Sequence, residues 1–442
     1  MPHPLDFAYY AALAVASPYW LVASRARAKV LGALRERMGK DLGAGGPAES
    51  ARGTTTVLLH AVSVGEINAT RTLAAELLSR RADVRLVVTS TSNTGHTRAV
   101  ELYGGNPRIT VARYPLDFSG AIHRFLDHYR PDVVVLLELE MWPNFLRICR
   151  QRELPVLLVN GRLTRHSLRR YRLIAPLARR MLRTPALLCV QDEVYAERFV
   201  QVGAPRDRIA VTGTMKFDTA ALSVDGAKVE ALRVAMGLQP GEPLLVAGST
   251  GPGEEAILLR IYRQLLREHP SLRLAIVPRK PERFDEVAQL IEREGFALLR
   301  RSTGKGEGAG AGAGGPVLLG DTMGELRLFY ALATVVFVGR TIVDLGPKLH
   351  GSDMLEPAAL AKATIVGPYT GNFADAMHLL RRREAIVEVE NEGALLAALR
   401  DLLRHPEKAE RLGQAAAATI TQGQGATARH ADRIINLLPP PS

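Results

Sequence analysis

From residue 54 onward the chain keeps returning to one alternation: a short run of β-branched and aliphatic residues, then a stretch with apolar residues at helical spacing. TTTVLLHAV, VRLVVTST, ITVARY, DVVVLLELE, LPVLLVN and ALLCVQ show little polar alternation, so they read as strands buried on both faces. Between them, INATRTLAAELLSRR and SGAIHRFLDHY have the period of amphipathic helices. Buried strands joined through helices predict a parallel, doubly wound sheet of the α/β class. The pattern pauses over VTGTMKFDTAALSVDGAKVEALRVAMG and restarts with PLLVAGST, LRLAIVPR, PVLLGDT, TVVFVGR and ATIVGPY. A length of 442 residues is more than one ordinary core needs. The expectation is two Rossmann-like domains facing a central cleft, the default place for a ligand. The first covers residues 41–220, a linker 221–240, and the second 241–442, its last helix a candidate to pack back on the first domain.

The start of the chain follows other rules. Phe7 to Ala23, FAYYAALAVASPYWLVA, carries no charge, and Arg25, Arg27, Lys29, Arg35, Arg37 and Lys40 come after it. The run is near the minimum for a bilayer span and is interrupted by Pro18. No basic residue precedes it, which argues against a cleaved signal peptide. Basic residues behind it would hold the following chain in the cytoplasm. Residues 1–40 are therefore expected to form a membrane anchor with a basic juxtamembrane segment, spanning the bilayer or lying in its surface, with a buried helix as the plainer alternative.

Charge sharpens the choice of partner. Lys and Arg number 57 against 45 Asp and Glu, a net charge of +12, which favours anionic partners. NGRLTRHSLRRYRLIAPLARRMLRT (160–184) is the most basic stretch and would suit lipid headgroups or phosphates, although a solvated helix face explains it equally. No RNA- or DNA-binding motif accompanies it, so nucleic acid is not the expected partner. Cys149 and Cys189 are the only cysteines, and the histidines are scattered; neither a disulfide framework nor a metal site is expected.

Carboxylates and hydroxyls at strand ends are left to carry chemistry. HAVSVGEINAT places Glu66 three residues after Ser63, the spacing of a capping box, and also where a strand turns into a helix. Glu66 is then a cap if it reaches back to the Ser63 N–H, or a base if it points into the cleft; the cleft is the expectation. Glu138 and Glu140 follow the fourth strand at i,i+2 spacing, on one face if the strand continues, or as N-terminal charges of the helix that Pro143 opens. AGSTGPGEEAILL has a turn at Ser249 and Thr250 whose N–H groups could hold a phosphate or sugar. LHGSDMLEPAALAKA sets Glu356 before Pro357 near a strand end, where acidic groups often bind ribose hydroxyls. The Gly/Ala-rich segment 302–315 reads as a flexible surface insertion and is assigned no function.

These stretches, taken in order with YPLDF, RPDVVVLLELEMWPNF, VNGRLTRHS, QDEVYAERF, VTGTMKFD, VPRKPERF, GDTMGELRLFYALATVVFVG and LEPAALAKATIVGPYTGNF, resemble the Kdo transferases, which attach 3-deoxy-D-manno-octulosonic acid to lipid A precursors. The resemblance runs along nearly the whole chain. It implies a GT-B architecture, inversion of configuration without a required metal or cofactor, CMP-Kdo as donor and a lipid A precursor as acceptor. It also implies an anionic inner-membrane surface, with the catalytic domains on its cytoplasmic side. Glu66 matches the family's proposed general base, with Glu138 and Glu140 as catalytic helpers. Donor binding would fall to Ser249, Thr250, Arg279, Lys280, Met323, Gly324, Glu325, Ser352, Asp353 and Glu356. Acceptor or anion binding would fall to Arg162 and Lys216.

The departures cluster on the donor side. Lys280 stands where the family commonly has His in PRHPERF, Gly251 where STHEGEE has His, and Ser352-Asp353 where GGHNPLEP has His-Asn. Two rival readings stay open: another GT-B enzyme, a UDP-sugar transferase or epimerase, and a non-catalytic, membrane-associated anion-binding protein.

Overall fold

The computed structural model describes residues 4, 6, 7, 9, 33–43, 53–219, 223–304, 306–307, 315–347 and 349–440. It divides the chain into two compact units, residues 1–219 with 424–442, and residues 220–423. The proposed anchor over 7–23 lies outside the described residues apart from Phe7 and Tyr9. Among the described residues no helix is long and apolar enough to cross a membrane.

The first unit is built on seven parallel strands: β1 (Thr55–His60), β2 (Val84–Ser90), β3 (Ile109–Arg113), β4 (Val133–Leu137), β5 (Val156–Gly161), β6 (Leu187–Val190) and β7 (Ile209–Val211). Their spatial order is β3-β2-β1-β4-β5-β6-β7. Successive residues feed opposite cores. Leu58, Val134, Leu136 and Leu158 enter one cluster, whereas Val57, Leu59, Val133, Val135 and Leu157 enter the other. That is why these strands are apolar throughout: each face is covered, and every buried Val or Leu side chain contributes about 1.5–3 kcal/mol.

The second unit carries an eight-stranded sheet: β8 (Leu244–Thr250), β9 (Arg273–Pro278), β10 (Leu298–Arg300), β11 (Gly306–Glu307), β12 (Val317–Leu319), β13 (Val335–Val338), β14 (Ala363–Val366) and β15 (Val387–Glu388). The order is β11-β10-β12-β9-β8-β13-β14-β15, and only β11 runs antiparallel to its neighbour. β11 comes from the Gly/Ala-rich insertion, most of which lies outside the described residues.

One boundary differs from the sequence reading. Residues 221–240 are not a bare linker, because they contain the helix Gly226–Ala235, whose first turn is capped by the Asp225 carboxylate. Leu232, Met236 and Leu238 are buried, and the helix packs on Leu326–Leu332 within the second unit. At the C-terminus the chain returns to the first unit, the packing for which its last helix was a candidate. The helix Ala426–Ile435 lies on the helix Val64–Arg80, and Ala431, Ile434 and Leu438 join the core cluster of Leu73 and Leu77. Its first N–H groups are held by Asp218, from Gly425 at 2.6 Å and Thr427 at 2.5 Å. Buried His430 receives the Asn160 N–H at Nε2 (2.9 Å) while its Nδ1 meets the Ala426 carbonyl at 2.6 Å. Burial lowers its pKa to about 4, so the ring is a neutral connector.

Candidate active site

In the first sheet β1 and β4 are neighbours although two strands separate them in sequence, with His60 opposite Leu136. The chain leaves them towards opposite edges, which makes their C-terminal ends the topological switch point, where ligand sites gather in such sheets. Glu66 follows β1 and Glu138 and Glu140 follow β4, so the fold collects all three acids at one place.

Glu66 does not point freely away from its helix. Its Oε2 accepts the Val62 N–H at 2.9 Å and its Oε1 accepts the Ser63 hydroxyl at 2.8 Å, while its own N–H donates to Ser63 Oγ at 3.3 Å. The carboxylate reaches back as a cap does, but to the Val62 N–H and the Ser63 hydroxyl rather than to the Ser63 N–H, and so does not stand free as expected. The physical reason is local: the N–H of Val62, just ahead of the helix, and the hydroxyl of the N-cap Ser63 are donors within reach of a carboxylate in the first turn.

The i,i+2 argument for Glu138 and Glu140 also fails. β4 ends at Leu137, and Glu138 turns into the left-handed region at φ 55°, so the strand does not continue to Glu140. The Glu138 N–H still reaches the Val159 carbonyl at 3.0 Å, which ties the turn to β5. Pro143 opens the next helix, Pro143–Gln151, as its spacing predicts. Glu140 is half-buried and accepts Trp142 Nε1–H at 3.2 Å. Burial pushes its pKa up to about 7, the nearby Glu66 and Glu138 charges add to the rise, and the Trp142 bond opposes it. Under the same strand ends His60 is buried and stacked on Tyr114 at 3.6 Å, and burial lowers its pKa to about 3. It is a core residue.

Arg162 follows β5, half-buried, with Nε donating to the Tyr195 hydroxyl at 3.3 Å. The other arginines of the basic stretch are exposed, Arg165 to Arg180 on the helices Arg165–Leu173 and Ala175–Leu182 and Arg183 just after the second. Lys216 begins the short helix Lys216–Thr219 beside the C-terminal clasp.

The second unit repeats the arrangement at its own switch point, between β8 and β13. Ser249 and Thr250 end β8 and are buried, Ser249 at φ 55°, and Thr250 Oγ1 has no hydrogen-bond partner. Arg340 follows β13 at φ 59°. Buried Glu254 fastens the two strand ends together. Its Oε2 accepts the N–H of Gly251 (2.8 Å) and Arg340 (2.6 Å), and its Oε1 those of Thr341 (2.8 Å) and Ile342 (3.1 Å). Ser352 joins the set by donating from Oγ to the Ser249 carbonyl at 3.2 Å. Sequence reading missed Glu254 and Arg340; a glutamate pair opening a helix looks like surface charge, and a left-handed backbone leaves no mark in composition.

Glu356 sits in the first turn of the helix Leu355–Ala359, half-buried. Burial pushes its pKa up to about 7, the Asp353 charge adds to the rise, and Arg327 and Arg279 oppose it. Asp353 Oδ1 accepts the Leu355 N–H at 2.9 Å, a helix-starting contact. Arg279 and Lys280 are exposed after β9, the Arg279 N–H bonded to the Thr250 carbonyl at 3.1 Å. Met323, Gly324 and Glu325 form the turn after β12. Met323 is exposed and Gly324 left-handed at φ 86°, whereas both Glu325 oxygens are taken by Arg301 at 2.8 and 2.9 Å. Glu325 thus stabilises the turn rather than presenting a free carboxylate. Among the described residues no group of three His, Cys, Asp or Glu could hold a metal ion.

Two acid- and base-lined switch points define what the chain can bind and do; comparison with known proteins narrows the class. A family model described as 3-deoxy-D-manno-octulosonic-acid transferase (kdotransferase) matches residues 33–219. The 3-deoxy-D-manno-octulosonic acid transferase of Haemophilus influenzae is 33% identical over 387 residues, 87% of this chain and 86% of that protein. The enzyme of the same name from Bordetella pertussis is 34% identical over 389 residues, 86% of each chain. In fold, the chain is similar to UDP-GlcNAc 2-epimerase from Neisseria meningitidis, with a TM-score of 0.55 at 13% identity over 86% of this chain and all (100%) of that one. That likeness speaks for two Rossmann-like domains of the GT-B type and for nothing finer. Identity of this extent along both units makes the chain a member of the 3-deoxy-D-manno-octulosonic acid transferase family of glycosyltransferases.

Proposed function

We propose that the protein transfers Kdo from CMP-Kdo to a lipid A precursor in lipopolysaccharide biosynthesis, with inversion at the anomeric carbon. The observation that carries this reading is the 33–34% identity to named Kdo transferases over 86–87% of the chain. The two switch points support it: one gathers carboxylates, as proton removal needs, and the other gathers hydroxyls, arginines and one half-buried carboxyl, as a charged nucleotide needs.

In the proposed mechanism the acceptor hydroxyl takes the place of the Ser63 and Val62 donors on Glu66, which then removes its proton as oxygen attacks the anomeric carbon. Glu140 sits close enough to feel the Glu66 charge. While it holds its own proton it spares Glu66 a repelling neighbour, and Glu138 fixes the turn that places it. CMP departs as the C–O bond breaks, its phosphate charge met by basic side chains and backbone N–H groups. Glu356 receives the ribose hydroxyls, with Ser249, Thr250, Arg279 and Ser352 around the remainder of the donor. Arg162 and Lys216 serve the anionic acceptor. Work at the cytoplasmic face of the inner membrane fits the +12 charge and the uncharged run at 7–23.

The test is direct. Purified protein is incubated with CMP-Kdo and a lipid A precursor, and the product is weighed by mass spectrometry. Additions of whole Kdo units are expected; no addition, with turnover of a UDP-sugar instead, would refute the proposal.

A further inference from the structure

The Arg340 side chain occupies an unusual position. Its backbone is left-handed at φ 59°, a conformation that costs a non-glycine residue energy and persists where surroundings impose it. What imposes it here is the Glu254 carboxylate, which pins the N–H groups of residues 340, 341 and 342. The stem then runs across Gly251. A Cβ on Gly251 would stand 2.9 Å from Arg340 Cγ and 2.6 Å from Leu345 Cδ1, so the missing side chain at 251 is what makes room for the arginine. The guanidinium is half-buried and held by neutral oxygens only: Nε donates to Ser352 Oγ at 3.0 Å and Nη2 to the Gly351 carbonyl at 2.8 Å.

Five N–H bonds are available on a guanidinium, so both Nη1 hydrogens and one on Nη2 remain. Among the described residues Arg340 makes no ion pair, and Glu254, the acid whose charge it feels, spends its oxygens on backbone N–H groups. Burial, and then the like charge of Arg279, bring the Arg340 pKa down, and the Arg279 N–H is bonded to the Thr250 carbonyl at the end of the neighbouring strand β8 at 3.1 Å. A half-buried cation beside a second cation is costly unless an anion completes it. The site lies at the switch point of the donor-side sheet, beside Ser249 and Thr250.

We infer that Arg340, seated over Gly251 and oriented by Ser352 and the Gly351 carbonyl, binds the phosphate of the nucleotide donor together with Arg279. The inference rests on the reading that a nucleotide-activated sugar is the donor, and it assigns the phosphate to a residue that no motif marked. It also accounts for one departure from the family pattern: the volume of a side chain at 251 is filled here by an arginine stem from the neighbouring strand.

The test compares CMP with cytidine by calorimetry on the intact protein. Wild type is expected to bind CMP at least tenfold more tightly than cytidine, an ordinary value for one charge-assisted contact set. Arg340→Gln should remove most of that preference and leave cytidine binding within about twofold. Gly251→Ala, which keeps the arginine but pushes its stem aside, should reduce the preference in the same direction, with the fold checked by circular dichroism. A wild type that does not distinguish CMP from cytidine, or an Arg340→Gln variant with the preference intact, overturns the inference. CMP preference that depends on Arg340 in a protein that transfers no Kdo would instead refute the proposed reaction and leave the phosphate seat standing.

Discussion

Ser63 and Glu66 exchange hydrogen bonds, the serine hydroxyl donating to the carboxylate at 2.8 Å and accepting the glutamate N–H at 3.3 Å. The same carboxylate is therefore helix cap and proposed base, and the two roles come apart in different variants. Ser63→Ala should cost about 1 kcal/mol of stability in a urea titration, the usual loss for an N-cap. Glu66→Gln keeps the carbonyl acceptor but cannot take a proton, so transfer should fall by roughly a thousandfold with a melting temperature close to wild type. Turnover by Glu66→Gln within tenfold of wild type would assign the base elsewhere.

Glu140 gives a pH signature. Its pKa is raised from the ordinary 4.5 to about 7, chiefly by burial, so between those values the folded state binds more protons than the unfolded. The contribution of this group to stability is thus largest below about pH 4.5, declines as pH rises through 7, and is flat above. Glu140→Gln, which never ionises, should be more stable relative to wild type at pH 8 than at pH 5, by about 1–2 kcal/mol after allowance for its partial exposure. Denaturant titrations at the two pH values measure the difference; a gap of the opposite sign would refute the assignment.

Glu356 has the same raised pKa, about 7, for the same first reason. If its ionised form accepts the ribose hydroxyls, CMP should bind more tightly at pH 8 than at pH 6. The preference for CMP over its 2′-deoxy analogue should be roughly tenfold in wild type and absent in Glu356→Ala. Competition assays with the two nucleotides decide it.

Gly251 and Arg340 should behave as a pair. Gly251→His alone meets the arginine stem 2.9 Å from its Cβ and should lose donor binding by about tenfold or more. Combining it with Arg340→Gly vacates that volume and removes the phosphate-binding side chain, so the double variant should bind donor no worse than Arg340→Gly alone. A double variant as poor as the product of the singles would show that the two positions act independently.

Much of the architecture was legible before any coordinates. Strands buried on both faces carry an unmistakable run of Val, Leu and Ile, and every one of the eleven quoted runs became a strand. Glu66, Glu138, Glu140 and Glu356 were singled out because each stands where an apolar run gives way to a helical stretch. What escaped was set by tertiary contacts. The left-handed turns at Glu138 and Arg340 depend on partners far along the chain, and nothing in ELEMW or VVFVGR announces them. The inward direction of Glu254 was hidden for the same reason: its four donors come from two separate loops. The orientation of Glu66 went the other way, since the local capping signal, plain in the sequence, outweighed the positional argument for a free carboxylate.

The C-terminal helix bears on how the protein is made. Its Ala431 and Ile434 complete the core of a unit whose other residues end at Thr219, and the last strand-forming segments of the second unit are synthesised in between. During translation the first unit must therefore wait, its helix Val64–Arg80 without its apolar cover, until roughly two hundred further residues have emerged. The second unit, continuous in the chain, has no such delay. A nascent protein of this design completes its second domain before its first, and a stop codon that removes the helix Ala426–Ile435 injures the domain that was synthesised earliest.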